Sequence, residues 1–300
     1  MSKLVECVPN FSEGRRQDVI EAITAAVTSI HGVRLLDVKS DASHNRCVVT
    51  FIGAPEVVRE AAFASCARAA ELIDMEQHRG AHPRIGATDV IPFIPVQDVS
   101  MEECVQLAND LGASIAGRLH IPVYLYEEAA RIQSRRSLPV IRKGEYEGLK
   151  EEITSPERRP DYGEPKLHPT AGATVVGARP YLIAYNINLA TGDVRIAKKI
   201  ANSIREARGG YRYVRAMGVL DEERNLAQVT INMVNYEGTP LFRVFETVKS
   251  EAARYGVSVV GSEIVGLAPL QAFLDVAAFY LQLENFDRKQ VLEERVMSNE

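Results

Sequence analysis

The chain has 300 residues, a formal net charge of −5, 46% hydrophobic residues and 25% charged residues, the balance of an ordinary soluble globular protein. The acidic excess excludes a general nucleic-acid binder, which needs a basic face, and no apolar run approaches the roughly 18 residues of a membrane span. Cys7, Cys47, Cys66 and Cys104 lie far apart with no Cys-x-x-Cys pair, which fits reduced thiols in a cytoplasmic protein rather than a disulfide framework.

In chain order, Leu4 to Val8 reads as a strand, with Glu6 interrupting the apolar run too early for a signal peptide. Pro9 to Gly14 reads as a turn. A helix follows over about Arg15 to Ile30, with Val19, Ile20, Ile23 and Val27 at helical spacing. Val33 to Val38 and Arg46 to Ile52 read as strands joined by the polar stretch Ser40 to Asn45. A helix from about Pro55 to Ile73 leads into a loop, and Val90 to Val96 is a further strand. A helix over Met101 to Leu119 and a strand over Pro122 to Tyr126 extend this half.

Residues 131–179 differ in composition, being rich in charge, proline and glycine, with Arg135-Arg136, Arg142-Lys143 and Arg158-Arg159-Pro160. A segment of this length reads either as an inter-domain crossing or as a functional loop, and its basic residues suit an anionic ligand. Beyond it the first plan recurs: strand Tyr181 to Ile187, turn Asn188 to Asp193, helix Val194 to Glu206, strands Val214 to Leu220 and Leu226 to Val234, helix Leu241 to Tyr255, strand Val257 to Val265, helix Pro269 to Leu283. Asn10 to Gly14 aligns with Asn188 to Gly192, and each half joins its central strands through Asp-x-x-x-Asn, Asp41 to Asn45 and Asp221 to Asn225. The expected architecture is α/β (α+β): two ferredoxin-like subdomains, residues 1–178 and 179–300, with mixed sheets facing each other across a cleft.

The densest chemistry lies in His78-Arg79-Gly80-Ala81-His82-Pro83-Arg84-Ile85-Gly86-Ala87-Thr88-Asp89. Two imidazoles four residues apart would make a metal pair on a helix, but Gly80 and Pro83 oppose a helix. With no third ligand at metal spacing, no metal is expected. His82, among arginines and turn-forming residues, is the candidate acid–base group, whereas His78 reads as a turn-stabilising residue.

Several stretches together resemble the glutamate formimidoyltransferase (formiminotransferase) family. They are Cys7 to Arg15, His82-Pro83-Arg84 with Gly86 and Asp89, Val123 to Tyr126, Gly172 to Thr174 with Gly177 to Arg179, Ala184 to Leu189, and Asn225 to Val229. The resemblance covers essentially the whole chain. It implies transfer of a formimidoyl group from N-formimidoyl-L-glutamate to tetrahydrofolate as co-substrate, a catalytic histidine at His82, and a homodimer. It also implies a folate-contacting segment at Gly163, Glu164, Pro165, Lys166, Leu167, His168, Pro169, Thr170, Ala171 and Gly172. The cyclodeaminase portion of bifunctional relatives is not expected on this chain; a separate cyclodeaminase is a candidate partner, and whether it receives the product is left open by the sequence. Ala81 and Ala171 stand where relatives often carry a carboxylate and an aromatic.

Within that reading Arg46, Arg79, Arg84 and Arg179 are candidates for substrate carboxylates, since guanidinium binds carboxylate through paired hydrogen bonds. Asp89 is a candidate for orienting His82 or meeting the cationic amidine, with an ion pair to Arg84 as the alternative. Asn10 and Asn188 are candidate amide contacts, or hold their own turns. Three other readings stand beside this one: covalent transfer through Cys7, a 5-formyltetrahydrofolate cyclo-ligase, which lacks a phosphate loop here, and a non-catalytic folate sensor.

Overall fold

A computed structural model describes residues 3–297. The chain divides into two units between Pro180 and Tyr181.

The first unit opens with two short strands in line, β1 (Leu4–Cys7) and β2 (Asn10–Phe11), which both lie between β4 (Arg46–Gly53) and β5 (Thr88–Gln97). Asn10 and Phe11, expected in a turn, therefore belong to the sheet. Strand β3 (Arg34–Asp41) pairs antiparallel with β4. Helix α1 (Gln17–Thr28) buries Val19, Ile20, Ile23 and Val27, the residues whose spacing predicts it. Helix α2 (Pro55–Leu72) starts with proline, whose missing N–H costs nothing in the first turn. Helix α3 (Met101–Leu119) has the bounds expected from the sequence and starts with a Ser100–Glu103 capping box. These helices cover one face of the sheet, where Phe11, Phe51, Phe93 and Ile23 are fully buried.

The segment 131–179 is not an inter-domain crossing. After β6 (Val123–Glu127) it forms α4 (Leu138–Ile141) and α5 (Glu145–Glu152), then enters the sheet as β7 (Thr174–Ala178). Strand β7 runs parallel between β5 and β6. Ile141, Leu149 and Ile153 pack with Val90, Tyr124, Tyr126 and Val175 in a second apolar layer. Such parallel pairing needs a long crossover, which is why the insertion carries so little strand-like sequence of its own.

The second unit consists of β8 (Ile183–Leu189), α6 (Val194–Ile204), β9 (Val214–Asp221), β10 (Leu226–Met233), α7 (Leu241–Ala253), β11 (Val259–Val265) and α8 (Leu270–Leu281). Its strand order is β11-β8-β10-β9, all antiparallel, so this sheet is not mixed as expected. The same spatial order, β3-β4-(β1/β2)-β5, forms the core of the first unit. Both halves are ferredoxin-like α/β subdomains. The repeat extends to the hairpins: Asn45 and Asn225 both take left-handed backbone, at φ 48° and 51°. The side chains of Asp41 and Asp221 accept backbone N–H bonds from the same turns.

Candidate active site

The histidine loop is shaped by contacts with the β3–β4 hairpin. A Cβ on Gly80 would lie 2.2 Å from the His44 carbonyl oxygen, so only glycine permits this approach. Asn45 donates its side-chain N–H to the Arg79 carbonyl at 3.0 Å and accepts the Gly14 N–H at 3.0 Å. His78 is buried, donates Nε2–H to the Asn45 carbonyl at 2.9 Å, and accepts from Arg84 Nε at 3.3 Å. Both of its ring nitrogens are thus spent on the loop.

His82 is placed differently. Its Nδ1 donates to the Pro83 carbonyl at 2.7 Å, and its Nε2 accepts from Nη1 of Arg46. A carbonyl accepts only and a guanidinium donates only, so the imidazole is neutral with its lone pair on Nε2. Burial, with the charges of Arg46 and Arg142, holds its pKa down to about 4, against weaker opposition from Asp89 and the Pro83 bond. His82 shares a pocket with Phe11, Ser12, His44, Asn45, Arg46, His78, Arg84 and Asp89. The backbone carbonyl, not a carboxylate, fixes its ring, and the exposed side of Ala81 takes no part.

Asp89 neither orients His82 nor pairs with Arg84. It accepts the Ile85 N–H at 3.0 Å and an ion pair from Arg142 Nη2. Arg84 is instead clamped by Glu145 at 2.8 Å and Glu147 at 2.7 Å. Its guanidinium is already neutralised, and it binds the loop to α5 rather than standing open to a carboxylate. Arg142 is the residue not among the sequence candidates; the signal was the basic pair Arg142-Lys143 in a segment whose basic residues suit an anionic ligand.

Of the other candidates, Arg79 is exposed and donates to the Glu76 and His78 carbonyls. Arg179 follows β7 and donates to the Pro180 carbonyl. Its N–H meets the Phe93 carbonyl on β5, and its charge acts on Glu6 and Tyr126 rather than standing among the residues that line the His82 pocket. Asn10 donates to the Val8 carbonyl at 2.8 Å and holds its own backbone. Asn188 sits in strand β8 of the second unit rather than in a turn, and accepts from Gln228 at 2.9 Å. The paired asparagines are thus held by their own neighbours.

The segment Gly163–Gly172 ends against the histidine loop. Gly86 and Gly172 form an antiparallel bridge, the Ala87 N–H meets the Ala171 carbonyl at 2.9 Å, and the Ala173 N–H meets the Ile85 carbonyl at 3.0 Å. His168 Nδ1 accepts from the Ala171 N–H at 3.0 Å and closes the turn. Gly163, Glu164, Pro165, Lys166 and Pro169 are exposed, Leu167, His168 and Thr170 are half-buried, and Ala171 is buried. Ala171, buried and without an aromatic ring, offers no stacking surface.

Cys7 is fully buried in β1, and burial pushes its thiol well above the usual range. It is a core side chain, and the thiolate needed for covalent transfer is disfavoured there.

The formiminotransferase domain's N-terminal subdomain matches residues 4–179, and the formiminotransferase domain matches residues 184–297. The chain belongs to the formiminotransferase family. It is 51% identical over 298 residues to the "Glutamate formimidoyltransferase" of Streptococcus pyogenes serotype M1, covering 99% of this chain and 100% of that protein. A protein of the same name from Thermoplasma acidophilum is 50% identical, over 98% of this chain and 97% of its own length. The "Formimidoyltransferase-cyclodeaminase" of Gallus gallus is 50% identical over 95% of this chain but only 53% of its own length.

Proposed function

We propose that this formiminotransferase moves the formimidoyl group of N-formimidoyl-L-glutamate to N5 of tetrahydrofolate, with His82 as the proton carrier. The observation that carries the residue assignment is the hydrogen-bonding state of His82: Nδ1–H is spent on Pro83, which leaves the lone pair on Nε2, where it accepts from Arg46. N5 attacks the formimidoyl carbon, the new C–N bond forms, and Nε2 takes the N5 proton. The imidazolium then returns that proton to the glutamate nitrogen as the old C–N bond breaks. Proton transfer of this kind contributes about 10²–10⁴ in rate, and holding two substrates together supplies more.

Arg46 meets a carboxylate of formimidoylglutamate, and the co-substrate lies along Gly163–Gly172. The bridge between Gly86 and Gly172 supports that placement by tying the segment's end to the histidine loop. With this function go a cytoplasmic location, in keeping with four free cysteines, and product release to a separate cyclodeaminase. A homodimer also belongs to the reading; Phe273, Phe279 and Leu281 of α8, all exposed, supply apolar surface that association would bury. The test mixes purified protein, tetrahydrofolate and formimidoylglutamate without ATP and measures glutamate release. Folate binding without release would make the protein a sensor instead.

A further inference from the structure

The atom on which the proposed chemistry turns is already occupied, because Nε2 of His82 accepts a hydrogen bond from Arg46. Around this contact the charges do not balance. Two guanidiniums, Arg46 and Arg142, face one buried carboxylate, Asp89. Both Asp89 oxygens are engaged, one by the Ile85 N–H and the other by Arg142. The nearby Asp41 is held by Ser43 and His44, and Arg84 is saturated by Glu145 and Glu147. The Nε–H groups of Arg46 and of Arg142 are buried and have no acceptor. Buried donors left unpaired cost free energy, and burial together with Arg142 lowers the pKa of Arg46 to about 10. The cluster lacks one anion.

We propose that a substrate carboxylate supplies that anion, draws Arg46 off Nε2, and so frees His82 as a base only once substrate is bound. Arg46 and Arg142 are then a carboxylate receptor, with Arg142 held in place by Asp89 and acting as a positioning residue. The inference rests on reading His82 as the proton acceptor. The exchange needs no bond making: Arg46 stays protonated and moves one N–H from the imidazole lone pair to a carboxylate oxygen. Once the two guanidiniums are neutralised, their charges no longer oppose protonation of His82; burial still does, but the affinity of the ring for a proton rises. The groups facing the ring are His44 on the hairpin (ring centroids 6.1 Å apart), Arg46 on β4, Asp89 on β5 and Arg142 after α4.

The test is histidine-ring NMR on the full chain, with L-glutamate as the probe and His82→Asn to assign the signal. The free protein should show His82 titrating near pH 4, and saturating glutamate should move that midpoint up by about one pH unit or more while the other histidines stay put. Arg46→Gln should raise the midpoint in the free protein and abolish its response to glutamate. Arg142→Gln should raise it as well, which keeps the test open should the first variant fold poorly by circular dichroism. In steady-state kinetics, the acid limb of kcat should lie at higher pH than that of kcat/KM, since the first reports the complex and the second the free protein. Glutamate that fails to bind, binding without movement of the His82 midpoint, or an unchanged midpoint in both variants would each overturn the inference. The NMR readout needs no turnover. A ligand-dependent midpoint without glutamate release in the transfer assay would fault the assigned reaction and leave this coupling standing, whereas turnover without the shift would fault the coupling alone.

Discussion

Nε2 of His82 lies against Nη1 of Arg46, while Nδ1 of the same ring donates 2.7 Å to the carbonyl of Pro83, the next residue. One contact fixes the tautomer locally; the other ties the ring to strand β4. The imidazole is oriented without any carboxylate partner, so its reactivity is set by burial and by neighbouring cations.

Replacing His82 with alanine should lower kcat by about 10²–10⁴ without unfolding the protein. The loop is held by His78, Asn45 and the tight approach at Gly80, none of which needs the His82 ring. Single-turnover transfer alongside circular dichroism checks both halves of this expectation, and near-normal transfer by a folded variant would remove His82 from the chemistry.

Arg84→Met should act through the clamp to α5. It removes charge-assisted bonds to Glu145 and Glu147, each worth about 1.5–3 kcal/mol at most. Because both carboxylates are partly exposed, the net cost should be nearer about 1–2 kcal/mol. Hydrogen exchange should quicken over Glu145–Glu152. A variant with unchanged stability and exchange but lost substrate affinity would restore Arg84 as a direct carboxylate ligand.

Gly86→Ala should be severe for its size. The added Cβ would fall 1.9 Å from the Ala173 carbonyl oxygen and 2.8 Å from that of Ala171, so the bridge to Gly172 must open. Overpacking of this kind costs about 1–3 kcal/mol, and here it also parts the histidine loop from the Gly163–Gly172 segment. Urea unfolding together with tetrahydrofolate binding should show both losses.

Glu6 offers a pH test. It is 4% exposed on β1, and burial lifts its pKa from about 4.5 to about 7, with the charge of Arg179 opposing. Between those values the folded state keeps a proton that the unfolded state releases, so this residue's contribution to stability falls as pH rises through the window. Glu6→Gln should therefore stabilise the protein at about pH 8 more than at about pH 5. Paired urea titrations of both proteins isolate the effect, and an equal difference at the two pH values would contradict it.

Local sequence determined much of this protein. Period-3.6 spacing placed α1, and Gly80 with Pro83 made the histidine stretch a loop rather than a helical metal pair. The recurrence of Asp-x-x-x-Asn announced the duplicated hairpins, which the left-handed backbone of Asn45 and Asn225 then expressed. All of these depend on neighbours a few residues apart, where side-chain size and backbone preference act directly. Tertiary structure alone decided that residues 131–179 fold back to add β7 beside β5, and which charges meet. Asp89 could have paired with any nearby cation, but the crossover delivered Arg142, 53 residues away, and gave Arg84 to Glu145 and Glu147 instead. Periodicity cannot choose among ionic partners, because charge attraction has no sequence register; only the path of the chain brings a particular pair within reach.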